Sequence, residues 1–144
     1  MEKIPLFGFM YKRMHITVDR QNLKSRYKAL NEAAEMLDEG RSLAIFPEGG
    51  ILTKEPPKLV PFKDGAFRLA IEKQVPIVPV TLPFNWIILP DDGKLMINKR
   101  DGKVKAIFHE PIETKGMVIK DIKLLKERTF GIIEKELKVQ NNFE

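Results

Sequence analysis

Glu48 stands between Pro47 and the pair Gly49-Gly50, directly after the apolar run Ser42-Leu43-Ala44-Ile45-Phe46. The run reads as a short buried strand, and a proline, a carboxylate and two glycines end it abruptly. Open α/β sheets place ligand sites at the carboxyl ends of their strands, so a charged side chain held there points to chemistry. The competing reading is a tight turn that happens to contain Glu. Behind it comes a loop of about 15 residues carrying Pro47, Gly49, Gly50, Pro56, Pro57 and Pro61, and loops of that length inside a compact domain are usually functional.

The elements that must position this turn are legible from periodicity. Pro5 to Met14 reads as a short helix, and the β-branched alternation of His15 to Val18 as a strand. Ser25 can cap a helix to about Glu39, with Gly40 as its stop. Tyr27, Leu30, Ala33, Ala34 and Leu37 would form its buried stripe. Helical spacing resumes from Phe62 to Lys73, with Phe67, Ala70 and Ile71 on one side. Val75 to Leu82 reads as a buried strand whose prolines argue for an edge or a bulge. Lys94 to Asn98 and Lys103 to Phe108 flank Arg100-Asp101-Gly102, a hairpin signal. The spacing of Ile122, Leu125, Ile132, Ile133 and Leu137 predicts a helix over Ile119–Lys138, with Val139 to Glu144 as a frayed tail. Gly131 interrupts that helix at a cost of about 1 kcal/mol relative to Ala. The order predicts an α/β domain with a mixed, mainly parallel sheet flanked by helices.

Composition narrows the function classes. The 144 residues suffice for one domain, 1–144, with a real core. There is no cysteine, which excludes disulfides, thiolate metal sites and a cysteine nucleophile. The net charge of +5 is spread evenly: basic residues exceed acidic ones by 12 to 10 in residues 1–72 and by 13 to 10 in 73–144. No basic block or aromatic-interleaved basic stripe argues for nucleic acid, while an evenly basic surface favours anionic membranes or acidic ligands. The longest apolar stretch, Val75 to Pro90, is broken by four prolines and falls short of the ~20 apolar residues of a spanning helix. Membrane contact would be peripheral. Within that stretch Phe84, Trp86, Ile87, Ile88 and Leu89 would pack in the core, line an apolar groove or dip into a membrane interface.

Four segments occur in order: Ile16-Thr17-Val18-Asp19-Arg20, Phe46-Pro47-Glu48-Gly49, Phe62-Lys63-Asp64-Gly65-Ala66-Phe67 and Val75-Pro76-Ile77-Val78-Pro79-Val80. Together they closely resemble the glycerolipid acyltransferase family, which includes 1-acylglycerol-3-phosphate acyltransferases. The resemblance covers Pro5 to about Val80, and the strand ending in Glu110-Pro111 resembles the family's later region. It implies transfer of a fatty acyl group from acyl-coenzyme A or acyl-carrier protein, as co-substrate, to the hydroxyl of a lysophospholipid acceptor. No metal or redox cofactor is implied. It further implies that Arg20 holds the acceptor's phosphate, for which a planar guanidinium is well suited, and that Glu48 and Gly49 shape the acceptor pocket. Such a protein would act in the cytoplasm, peripherally at the inner face of the cytoplasmic membrane.

Two departures qualify the resemblance. The family's chemistry resembles a His, four residues, Asp device, whose imidazole would deprotonate the acceptor hydroxyl. That block should precede Pro5, where only Met1 to Ile4 stand. His15 and Asp19 would share a strand face roughly 13 Å apart at ~3.3 Å per residue, too far for a hydrogen bond. His109 has Thr114, and no carboxylate, at the fifth following position. Both histidines read as structural, and no catalytic residue is assigned. The chain is expected to be inactive alone, as an N-terminally truncated acyltransferase domain whose base lies in sequence not present here. The alternative is a non-catalytic module that binds lysophospholipid or phosphate. Secondly, many members continue the third block with Thr-Arg-Ser, where this chain has Gly50-Ile51-Leu52. Gly50 joins the expected pocket, and Lys54 or Lys63 would supply the missing cation as a point charge.

Overall fold

The computed structural model describes residues 16, 18, 22–50, 55–88 and 104–142, in two compact units, Met1–Ala44 and Ile45–Glu144. The expected Pro5–Met14 helix, most of the His15–Val18 strand, Arg20, Lys54 and the Arg100-Asp101-Gly102 turn lie outside the described residues.

The first unit is carried by α1 (Leu23–Asp38). Its cap is Asn22, three residues ahead of the expected Ser25. The Asn22 Oδ1 accepts the amides of Lys24 and Ser25 at 2.9 and 3.3 Å, and Asn caps a helix as well as Ser does. The expected stop holds: Gly40 takes φ +78°, its amide reaches Leu37 O at 3.0 Å, and Arg41 N reaches Met36 O at 3.0 Å. The buried residues of α1 are Ala29 and Ala33, whereas Tyr27 is 62% exposed. Tyr27 lies about 200° around the helix from Ala29 at ~100° per residue, which puts it outside the stripe that was expected to include it.

In the second unit α2 (Gly65–Lys73) and α4 (Ile122–Asn141), entered through a 3-10 turn at Ile119–Asp121, enclose the core. Phe62, Phe67, Ile71, Ile112, Ile122 and Leu125 form its centre, and Ile132 and Ile133 pack against it. Phe62 stacks on Phe67 with centroids 6.1 Å apart and meets Phe130 edge-on at 5.0 Å, both favoured aromatic geometries. The expected stripe of α4 is therefore the one that is buried. Its C-terminus, however, runs past Lys138: Asn141 Nδ2 donates to Leu137 O and Pro83 O, which ties down residues expected to fray.

The sheet departs most from expectation. Residues 42–46 carry no regular secondary structure and pair with no strand among the described residues, and Ile45 is 47% and Phe46 72% exposed. A mainly parallel sheet does not form among the described residues. Instead β1 (Val80–Thr81) and β2 (Ile107–Phe108) are antiparallel, with Val80 opposite Phe108 and Thr81 opposite Ile107. An isolated bridge pairs Ile77 with Ile112. Between these pairings the first strand has two residues, Val78 and Pro79, and the second has three, His109 to Pro111. One extra residue on one side is a β-bulge. Neither Pro79 nor Pro111 can donate to a ladder, so the bulge falls where the pairing is weakest.

The turn after α2 is locked by side chains. Gln74 takes φ +52°, its Nε2 donates to Ile71 O at 2.6 Å and Met117 O at 3.1 Å, and its Oε1 accepts from Gly116 N at 2.6 Å. The buried Thr114 hydroxyl donates to Val75 O at 2.8 Å and Ala70 O at 3.3 Å. The carbonyls of Ala70 and Ile71, already reached by the amides of Val75 and Gln74, thus gain side-chain donors as well, and Val75 O gains one from a segment 39 residues downstream. A short helix, α3 (Asn85–Ile88), follows β1. Its Trp86 is 38% exposed and its Nε1 donates to Pro83 O at 3.1 Å.

Candidate functional site

The Glu48 turn is closed twice. Gly49 N donates to Phe46 O at 3.3 Å, and Lys63 N donates to Pro47 O at 2.8 Å, which brings the far end of the loop back onto its start. Gly49 takes φ +75°, and a Cβ there would lie 3.4 Å from Lys63 Cγ and 3.8 Å from Lys63 Cε. Glycine is therefore required by backbone conformation, and the lysine stem lies directly over it. Glu48 itself does not take positive φ, so the turn is not of the type that demands Gly at its third position.

Lys63 is held from both sides. Phe62 anchors one flank in the aromatic core, and the Asp64 carboxylate receives Lys126 Nζ of α4 at 2.6 Å on the other. That ion pair takes Asp64 away from capping: it makes no side-chain bond to the first turn of α2. The opening amides of α2, next in sequence to Lys63, keep the partial positive charge of a helix N-terminus. Within the loop, Lys58 Nζ donates to Glu55 Oε2 at 2.7 Å. That hydrogen bond and the charge of Lys58 hold the Glu55 carboxyl below its usual range. Lys58 is thereby engaged. Among the described residues neither the Glu48 carboxylate nor the Lys63 ammonium has an ion-pair or hydrogen-bond partner.

Of the expected site residues, the structure brings Glu48, Gly49, Gly50 and Lys63 into one turn and its cover. Glu48 and Gly50 are half-buried, Gly49 and Lys63 exposed. A carboxylate only accepts hydrogen bonds and an ammonium only donates, so the pair can hold a ligand that carries both hydroxyls and an anionic group. Asp64 and Lys126 were not picked out from sequence. Asp64 falls within the helical spacing expected from Phe62 to Lys73, and only the fold starts the helix at Gly65 and shows the Asp64 carboxylate turned to α4.

His109 sits elsewhere. Its Nε2 lies 2.8 Å from the hydroxyl of the fully buried Thr81, and its amide donates to Pro79 O at 3.0 Å across the β1–β2 pair. Glu110 beside it is exposed. His15 lies outside the described residues. Among the described residues no three His, Asp or Glu side chains are arranged to hold a metal ion.

A family model described as Acyltransferase matches residues 1–83, more than half of the 144. The chain belongs to the acyltransferase family. A chloroplastic 1-acyl-sn-glycerol-3-phosphate acyltransferase of Brassica napus is 34% identical over 110 residues, which are 76% of this chain and 31% of that protein. A 1-acyl-sn-glycerol-3-phosphate acyltransferase of Haemophilus influenzae is 31% identical over 138 residues, 93% of this chain and 54% of that protein. A chloroplastic 1-acyl-sn-glycerol-3-phosphate acyltransferase of Arabidopsis thaliana is 33% identical over 110 residues, 76% of this chain and 30% of that protein. The chain thus spans about a third to a half of the length of these curated relatives. No solved structure matches it. The region shared with the acyltransferase model contains the Glu48 turn and Lys63 and ends at Pro83, so β2 and α4 lie beyond it. No helix among the described residues is long and apolar enough to cross a membrane.

Proposed function

We propose that this acyltransferase chain supplies the acceptor-binding part of a 1-acylglycerol-3-phosphate acyltransferase. The observation that carries the reading is the Lys63 stem lying over Gly49 beside the half-buried Glu48. In this assignment the Lys63 ammonium and the uncapped amides of α2 receive the acceptor's phosphate. The Glu48 carboxylate accepts a hydrogen bond from a glycerol hydroxyl, and Gly50 keeps the pocket floor free of side chain. The acyl donor is an acyl-coenzyme A or acyl-carrier-protein thioester, used as a substrate, with no metal or redox cofactor. The protein works peripherally at the cytoplasmic face of the membrane.

Attack on the thioester requires removal of the hydroxyl proton. His109 is committed to Thr81 and has no orienting carboxylate, so we assign the base to neither His109 nor any other described residue. The chain alone then binds acceptor without turning it over. The runner-up, a non-catalytic lysophospholipid-binding module, shares the first property and differs in what the intact protein does.

The test is equilibrium binding of a short-chain lysophosphatidate, with the matching monoacylglycerol as the phosphate-free control. Lys63→Ala should weaken lysophosphatidate binding by about tenfold, the loss of one charge-assisted contact of ~1.5 kcal/mol, and leave the control unchanged. Glu48→Gln should weaken both ligands. Equal affinity of wild type and Lys63→Ala for lysophosphatidate would remove the assignment, and release of coenzyme A from an acyl donor by this chain would overturn the inactivity.

A further inference from the structure

The solvent face of α4 is basic in a way the core does not explain. Ile122, Leu125, Thr129 and Leu137 point inward, the exposed residues Leu124, Arg128, Gly131 and Lys135 recur at intervals of four and three along one outer stripe, and Lys120 is exposed in the 3-10 turn that leads into the helix. Among the described residues Lys120, Arg128 and Lys135 have no ion-pair partner. The neighbouring Lys123 reaches Glu127 only at 3.9 Å, with the two side chains 82% and 62% exposed. Two large apolar side chains are exposed at this end of the helix, Leu124 at 62% on the stripe and Ile119 at 44% in the 3-10 turn before it. Gly131 lacks a side chain, which leaves the middle of the stripe flat.

We infer that this face of α4 is the surface by which the protein docks on an anionic phospholipid bilayer. Charge complementarity selects the partner: cations held in a row on a rigid helix face the negative surface potential of acidic lipids. Ile119 and Leu124 select a bilayer over an acidic protein, because they can enter the headgroup boundary while the lysine heads remain in it. The inner face of α4 is packed, so the helix lies on the membrane without inserting. The inference rests on the lipid-substrate reading above for its context only; the docking residues are separate from Glu48 and Lys63.

Sedimentation of the full chain with phosphatidylcholine vesicles, with and without phosphatidylglycerol and with no lysophosphatidate present, tests it. Wild type should partition onto the anionic vesicles only, and less as salt rises. At about fivefold per surface cation, combined Lys120→Glu, Lys123→Glu and Arg128→Glu should lower partitioning on the order of a hundredfold. Leu124→Ser should lower it several-fold. The same charge change on α1, Lys24→Glu with Arg26→Glu and Lys28→Glu, should have far less effect. Circular dichroism checks that each variant is folded; should the triple α4 variant fail, Lys120→Gln with Arg128→Gln decides. No partitioning of wild type, an undiminished α4 variant, or an equal loss in the α1 variant overturns the inference. So does charge-dependent capture of an acidic protein without vesicle binding. Failure of lysophosphatidate binding with vesicle binding intact would count against the acceptor assignment alone.

Discussion

Thr114 shows how much one hydroxyl can fix. It is fully buried and donates to two carbonyls, at Val75 and Ala70, that close the passage from α2 into the strand before β1. Thr114→Val keeps the shape but removes both bonds; Ala70 O retains the amide of Val75, while Val75 O loses its threonine donor. We expect a loss of about 1–3 kcal/mol, read as a lower urea midpoint at unchanged slope. An unchanged midpoint would mean that the carbonyls find other donors. Nothing in the sequence marks this threonine, because its partners stand 39 and 44 residues away. His109 was legible in part: its lack of a carboxylate can be read from its neighbours, but its bond to Thr81 depends on the β1–β2 register. The turn at Glu48 and Gly49 was legible because a proline and a glycine are local signals, whereas the strand expected before it pairs with nothing among the described residues. That Lys63, and not Lys58, covers the turn follows from an ion pair and a loop closure that only the fold displays.

At the scale of elements, α4 gives the cleanest opportunity. Gly131 sits exposed in the middle of a 20-residue helix, and a Cβ built there meets nothing within 4 Å. Gly131→Ala should raise stability by about 0.5–1 kcal/mol, through helix propensity and a less flexible unfolded chain. Thermal and urea unfolding would both record it, and a destabilised variant would show that the outer face has an unseen neighbour. Helices were the legible part of this fold. The 3.6-residue period located α2 and α4 with their buried residues, since a single helix face decides burial. Strands were less legible, because pairing is decided by partners far along the chain. The proline-containing run at Val75–Leu82 did signal a bulge, and the structure puts one beside Pro79 and Pro111. The direction of the pairing, antiparallel, had no local signature.

For the whole molecule, the division at Ala44 and Ile45 falls inside the run 42–46. Every member of the central cluster, from Phe62 to Leu125, belongs to Ile45–Glu144, as do the Gln74 and Thr114 locks. Its aromatic trio, Phe62, Phe67 and Phe130, ties the loop after the Glu48 turn to α2 and α4. A polypeptide of Ile45–Glu144 should therefore unfold cooperatively by itself. Thr114→Val should lower the urea midpoint of the shorter chain in the same direction as in the full one, because both locks are retained. Phe46 and Phe108, each more than two thirds exposed, remain on the surface of that piece, so the measurement belongs at low protein concentration. A broad, non-cooperative melt of Ile45–Glu144 under those conditions would mean that its core depends on residues before Ile45.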